Sequence, residues 1–224
     1  FKNIMNKKII ITGAGGRFGK EIRKIKTNYK IFYPSRKQLD ITSVKSIKSF
    51  LKKKRPKILI HMAGLSRPMV QHEKNIRKSI LLNIVGTANI VTVCSKMKIK
   101  LIYLSTGYIY PGKKGNYKED DALLPWNNYG WSKLGGESCV QMYKNSLIIR
   151  ANITEAPFPH KKAFKNIKIN FLYHYEAAKI IFKLLNKKGI INLGGTSKSI
   201  YDFAIRTNPK VKKVHLKKTC FLAI

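Results

Sequence analysis

Arginine, acid and cysteine are the scarce residues of this 224-residue chain. Ten Asp and Glu face 46 Lys and Arg, a formal net charge of +36, and only 8 of those cations are Arg. Nucleic-acid interfaces lean on Arg for bidentate contacts to bases and phosphates, and the 38 Lys are spread along the whole chain. A specific nucleic-acid partner is therefore not expected, and the charge reads as solvated surface that binds polyanions weakly at low salt. The 30 Ile and 16 Asn that accompany the Lys fit a coding sequence rich in A and T. Cys94, Cys139 and Cys220 lie far apart, with no CxxC and no neighbouring His. That argues against a zinc site or a disulfide framework and fits a reducing cytoplasm, so no metal is expected. No apolar run approaches the ~20 residues that span a bilayer, and no signal peptide is visible, so no membrane partner is expected. The chain starts at Phe1, as a fragment would, and Met5, just before the first expected strand, reads as a candidate natural start.

The hydrophobic share of 44% excludes a disordered polycation. The length suits one domain, or one domain with a small lobe. Apolar runs alternate with amphipathic stretches, the pattern of a parallel sheet covered by helices. Strands are expected at Lys8–Thr12, Lys30–Tyr33, Lys57–His61, Lys100–Leu104, Ser146–Arg150 and Gly189–Leu193. Helices are expected at Gly16–Lys26, Ser43–Lys54, Lys74–Met97, Asn128–Lys144, Tyr175–Asn186 and Ile200–Arg206, and Ala156–Ala163 reads as loop. The fold class is α/β, a doubly wound parallel sheet over residues 1–150. Residues 151–224 form a short, reduced C-terminal lobe that partly returns to the sheet.

Three stretches carry chemistry. Gly13, Gly16 and Gly19 follow the first strand and open the first helix, with Arg17 and Phe18 between the last two. Glycine serves there for a tight turn, for close approach of backbone to a pyrophosphate, and for helix–strand packing. After the second strand stand Ser35, Arg36 and Lys37, with no acid until Asp40. An acid at the strand end would favour NAD, whereas Arg accommodates the 2′-phosphate of NADP. Arg36, with Ser35 and Arg17, thus points to NADPH, with NADH as the alternative cofactor. Tyr129 and Lys133 lie four apart at a helix start and share a face. An adjacent cation lowers a phenol pKa and prepares it for proton transfer. Ser105 and Thr106, at the carboxyl end of a strand, supply the third partner, since open α/β sheets bind ligands at that end.

These stretches resemble the extended short-chain dehydrogenase/reductases, and within them the dTDP-4-dehydrorhamnose reductase branch of nucleotide-sugar enzymes. The matching pieces are TGAGGRFG at 12–19, LDIT at 39–42, HMAG at 61–64, NIVGTANI at 83–90, LSTGYIYPG at 104–112 and YGWSKLGGE at 129–137. The resemblance implies a Rossmann-type fold in which Thr106, Tyr129 and Lys133 are catalytic. Tyr129 would protonate the sugar carbonyl oxygen, Thr106 would hydrogen-bond it, and Lys133 would bind the nicotinamide ribose while tuning Tyr129. Asp40 and Ile41 match positions around the adenine. Met62, Ala63 and Gly64 match the turn beside the ribose and pyrophosphate, and Asn83 matches the residue that supports the pocket.

Gly107 departs from the pattern, standing where the reductases carry Asp and the related dehydratases the first of an acidic pair. That loss argues against dehydration and leaves reduction intact. The expected function is an NADP(H)-dependent reductase of a nucleoside-diphosphate 4-keto-6-deoxy sugar, cytoplasmic, with the nucleotide sugar as partner and a homodimer as one assembly. Two alternatives stay open: an NAD-dependent nucleotide-sugar epimerase, and a noncatalytic nucleotide-binding regulatory subunit on the same fold. His61, His160, His174, Trp126 and Trp131 read as structural or pocket residues, and Glu119-Asp120-Asp121 as a cluster that orders its loop.

Overall fold

Six apolar strands build one fully parallel sheet in a computed structural model that describes residues 7–216; the Met5 start and Cys220 lie outside the described residues. In chain order they are β1 (Lys8–Thr12), β2 (Lys30–Phe32), β3 (Ile58–His61), β4 (Lys100–Thr106), β5 (Ser146–Ala151) and β6 (Gly189–Leu193). Their spatial order is β2-β1-β3-β4-β5-β6, every neighbour parallel. Parallel strands need crossovers, and helices supply them on both faces.

Alternation along each strand divides the core in two. Ile9, Ile11, Ile60, Ile102, Leu147 and Ile149 face one side, where Ile22, Ala177 and Ile181 cover them. Ile10, Leu59, Leu101, Tyr103 and Ile148 face the other and meet Ile47, Leu51, Ile90 and Val140. A one-residue slip in any strand would exchange these sets and expose neither to water, so register is held by fit to the two helical layers rather than by polarity.

The helices start and stop for local reasons. Ser43 caps Val44–Lys54 by accepting from Ser46 N at 3.2 Å, and Arg55, left-handed at φ 50°, ends it before Pro56. The first helix stops at Ile22 rather than Lys26, because the chain tightens there into i→i+3 bonds, Lys24 N to Glu21 O and Ile25 N to Ile22 O. The expected helix over 74–97 is interrupted at Asn75, whose side chain accepts from Lys78 N at 2.9 Å and caps a new start. Beyond it, Ile76–Lys96 runs 21 residues and is apolar enough by composition to cross a membrane, which the sequence reading did not expect. Its buried Asn83, Thr87, Ile90, Val93 and Cys94 turn into the fold. Within it Ile80–Val85 is π-helical.

After β5 the chain forms a small third cluster around Phe158, Ile169, Tyr173, Ile200, Phe203 and Val211. Three strand pairs frame it: Ile153–Thr154 with Leu172–Tyr173, Lys162–Phe164 with Lys212–Val214, and Lys168–Ile169 with Lys198–Ser199. The sequence reading missed all six of these pieces. Two or three residues are too short for alternation to register. The helix His174–Lys183 and β6 return to the main sheet, packing on the first helix and pairing with β5.

Candidate functional site

The strand order reverses between β1 and β3, so the loops leaving those strands part and open a crevice at their carboxyl ends. Gly13 takes φ +75°, and a Cβ there would lie 2.6 Å from Ala63 N. Only glycine lets these two loops touch. Gly19 is equally constrained, since its Cβ would lie 2.5 Å from the Ala14 carbonyl carbon. Gly15 is open, with nothing near its Cβ, and Gly16 precedes the helix without a side-chain cap.

A buried polar relay holds the second loop. Thr87 Oγ1 donates to Asn83 O at 2.7 Å, which leaves its lone pairs to accept from His61 Nε2 at 3.2 Å. His61 Nδ1 then accepts from Thr12 Oγ1 at 2.8 Å, and Thr12 Oγ1 accepts from Met62 N and Ala63 N, both at 3.3 Å. Burial pushes His61 down to about 3, aided by the Lys133 charge, so it stays neutral. Asn83 completes the frame: its Oδ1 accepts from Leu65 N at 2.7 Å, and its Nδ2 donates to Leu65 O and Ser132 Oγ. His61 and Asn83 therefore shape the loop that carries Met62, Ala63 and Gly64.

The crevice is a cleft of about 980 Å³. It is lined by Gly13, Gly16, Arg17, Phe18 and Gly19, by Arg36, Asp40 and Ile41, by Met62–Gly64, and by Thr106, Tyr129 and Lys133. Ser35 does not line it; its backbone N–H donates to Gln38 Oε1 at 2.9 Å. Arg36 is 74% exposed, with Nε 4.0 Å from Asp40 Oδ2. Asp40 is held mainly by Thr42, whose N–H and Oγ1 donate to Oδ1 at 2.9 and 2.8 Å and lower its pKa. Arg17 pairs with Glu155 at 3.0 Å, and so does Arg67 at 3.0 Å. The sequence reading found neither Glu155 nor Arg67, because nothing in the spacing of residues 17, 67 and 155 announces that they meet. His160 and His174 also line the cleft, Phe18 packing edge-on against His174 at 5.3 Å.

Thr106 ends β4, and Tyr129 and Lys133 sit in the first turns of the helix Asn128–Gln141, capped by Asn127 through Gly130 N at 2.7 Å. Burial pushes the Tyr129 phenol up to about 12, against a hydrogen bond from Thr106 that lowers it. Burial also drives Lys133 down to about 7, with Glu137 opposing. Lys133 Nζ donates to Leu104 O at 2.8 Å and stands 4.1 Å over the Tyr103 ring. Its partners are thus β4 and Tyr103. The expected lowering of the Tyr129 pKa by Lys133 is absent from this arrangement, where burial raises it instead.

The Lys133 shift has a testable sign. Above pH 7 the folded side chain is neutral, while an unfolded lysine stays protonated up to its ordinary value of 10.5. The unfolded state then binds more protons, so this group's contribution to stability rises with pH across that window. Lys133→Met is expected to be more stable than wild type at pH 7, and the difference to shrink by pH 10. Urea midpoints at the two pH values check this.

Asp121 and Glu119 tie down their loop: Asp121 accepts from Lys114 Nζ at 2.9 Å and from Lys118 N at 2.8 Å, and Glu119 Oε1 accepts from Asn192 N at 2.7 Å. Among the described residues no group of three or more His, Cys, Asp or Glu is placed to hold a metal ion.

Residues 7–154 match the RmlD substrate binding domain family. The chain is 31% identical over 149 residues to the spore coat polysaccharide biosynthesis protein SpsK of Bacillus subtilis (strain 168), covering 65% of this chain and 52% of that one. It is 29% identical over 160 residues to methionine adenosyltransferase 2 subunit beta of Xenopus laevis, covering 67% and 48%. The chain thus spans about half the length of the curated relatives it matches. Among solved structures, dTDP-4-dehydrorhamnose reductase from Bacillus anthracis str. Ames in complex with NADP superposes with a TM-score of 0.86 at 25% identity, over 96% of this chain and 86% of that one. The family match covers more than half of the sequence and takes in the glycine loop, Thr106, Tyr129 and Lys133 together: this chain belongs to the RmlD substrate binding domain family, within the extended short-chain dehydrogenase/reductases.

Proposed function

We propose that this chain is an NADP(H)-dependent reductase of a nucleoside-diphosphate 4-keto-6-deoxy sugar. The observation that carries the reading is the convergence of Thr106, Tyr129 and Lys133 in one cleft with the glycine loop and Arg36. The residues fit a dinucleotide. Side chains at Gly13 and Gly19 would collide with backbone, Gly15 leaves the loop surface open, and the cleft has the volume of a cofactor site. Gly13, Gly16 and Gly19 with Arg17 and Phe18 would hold the pyrophosphate, Met62–Gly64 the ribose side, Asp40 and Ile41 the adenine, and Arg36 a 2′-phosphate. Ser35, outside the lining, would assist Arg36 only through the backbone of its turn.

A reduced dinucleotide held there would supply a hydride to the keto carbon. Tyr129, still a phenol at neutral pH because its pKa lies near 12, gives its proton to the sugar oxygen as charge develops there. The Thr106 hydroxyl donates to the same oxygen and fixes its position beside Tyr129. Lys133 supplies an ammonium whose charge a ribose hydroxyl pair would restore. Residues 1–150 serve as the NAD(P)-binding domain, and 151–224 as a short substrate lobe whose β6 and preceding helix return to the sheet. The reading places the chain in the cytoplasm, with a homodimer as the assembly to test.

Arg36→Ala is expected to weaken NADPH binding about 10- to 100-fold and to leave NADH nearly unchanged, the loss of one charge-assisted contact to phosphate. Paired dissociation constants for the two cofactors check this. Net NADPH oxidation on adding the keto sugar tests the reaction itself; a chain carrying tight NAD and consuming no NADPH would be the epimerase instead. A second reading has its own support in the likeness to methionine adenosyltransferase 2 subunit beta, a protein named as a subunit. On that reading the chain binds NADPH, oxidises it with no sugar ketone, and associates with a partner enzyme. The complete set Thr106, Tyr129 and Lys133 favours the reductase.

A further inference from the structure

Two glycines at the carboxyl ends of β4 and β6 each stand against an asparagine amide. A Cβ built on Gly107, just past Thr106, would lie 2.7 Å from Asn152 Nδ2 and 2.9 Å from Asn152 Cγ. One built on Gly194, just past Leu193, would lie 2.5 Å from Asn170 Cγ. The two amides are joined, Asn152 Nδ2 donating to Asn170 Oδ1 at 2.7 Å. The Asn152 backbone is pinned on both sides, its N–H donating to Leu193 O at 3.2 Å and its carbonyl accepting from Leu172 N at 2.9 Å. The absence of side chains at 107 and 194 thus makes room for a fixed amide pair across the strand ends.

A carboxamide offers two N–H donors and an acceptor oxygen. Asn170 uses one donor of Asn152; among the described residues its second donor and its Oδ1 have no protein partner. Asn152 is half-buried and lines the cleft together with Thr106, Tyr108 and Tyr129. Space-filling alone needs no amide here, since an alanine at 107 with a smaller residue at 152 would fill the same volume. A neutral group that both donates and accepts suits a hydroxyl, which does the same.

We propose that Asn152, through the amide seated in the space left by Gly107, hydrogen-bonds a hydroxyl of the substrate's sugar ring and so selects the sugar. The inference rests on the nucleotide-sugar reading above and names the residue that grips the hexose. Dissociation constants for NADPH, dTDP and dTDP-glucose, measured by calorimetry, test it with wild type, Asn152→Ala and Gly107→Ala. Wild type is expected to bind dTDP-glucose at least about tenfold tighter than dTDP, the worth of one well-formed bond. Asn152→Ala removes that gain and leaves dTDP and NADPH within twofold. Gly107→Ala, which displaces the amide from the other side, does the same. Variants that keep the full sugar gain overturn the inference, as does a parallel loss of NADPH affinity, which would mark Asn152 as a structural plug. A wild type with no gain for the hexose over dTDP refutes the nucleotide-sugar reading itself, a result distinct from unaffected variants.

Discussion

Tyr129→Phe is expected to lower turnover by about a thousandfold while NADPH binds within a few-fold of wild type. The phenol oxygen is the only atom removed, and general-acid catalysis contributes about 10²–10⁴-fold. The ring keeps its packing, edge-on to His72 at 5.2 Å and to Tyr108 at 5.7 Å, so the cleft wall stays in place. Thr106, the group that lowers the Tyr129 pKa, keeps its seat at the end of β4. Turnover and cofactor binding must therefore separate. Steady-state NADPH oxidation with a 4-keto sugar nucleotide, beside a fluorescence titration of NADPH, reads both quantities. Wild-type turnover in the variant would remove Tyr129 from the chemistry.

Glu137→Ala is expected to cost about 3–5 kcal/mol of stability, the penalty for orphaning one member of a buried ion pair. Glu137 is 0% exposed and Arg150 3%. The Arg150 guanidinium donates to Glu137 Oε1 from Nε at 3.0 Å and from Nη2 at 2.7 Å, while Ser105 Oγ donates to Oε2 at 2.5 Å. Removing the carboxylate strands the Arg150 charge beside Tyr110 and the Glu119 carbonyl, which only partly replace it. The same carboxylate ties the helix carrying Tyr129 and Lys133 to β4 and β5. Its loss should loosen the geometry of the triad before the fold gives way. Urea unfolding measures the first effect, and an activity loss at urea concentrations where the variant remains folded measures the second. A midpoint unchanged from wild type would mean that water or a neighbour takes up the Arg150 charge.

The glycine-loop half of the cleft was legible because its signals are local. The KIIIT run alternates onto both faces of the sheet, and the glycines after it stand where two loops must touch. Tyr129 and Lys133 read correctly as neighbours on one helix face, since a four-residue spacing dictates that. What spacing could not dictate was the environment: Lys133 turns to Leu104 O and the Tyr103 ring, and burial raises the Tyr129 pKa instead of lowering it. Contacts between distant residues were also invisible. Glu155 reaches Arg17 and Arg67, and Asn152 fills the space beside Gly107, through folding that brings strand ends together. Gly107 stood out as a departure, but only the fold reveals the amide that occupies its place. The stretch between Asn75 and Gly86 carries an ordinary helical pattern, which showed neither the Asn75 cap that restarts the helix nor the π-helical turn from which Asn83 reaches Leu65 and Ser132. The +36 charge, prominent in the composition, narrows in the cleft to Arg17, Arg36, Arg67 and Lys133.

Hydride transfer is the central claim, and isotope transfer tests it most directly. NADPH carrying deuterium at the transferable position is mixed with the wild-type chain and a dTDP-4-keto-6-deoxy sugar, and the sugar product is examined by mass spectrometry and NMR. One deuterium at the former keto carbon for each NADPH consumed is the expected result. An unlabelled sugar with no NADPH consumed, while NADPH still binds, would contradict the reductase and leave a nucleotide-binding subunit.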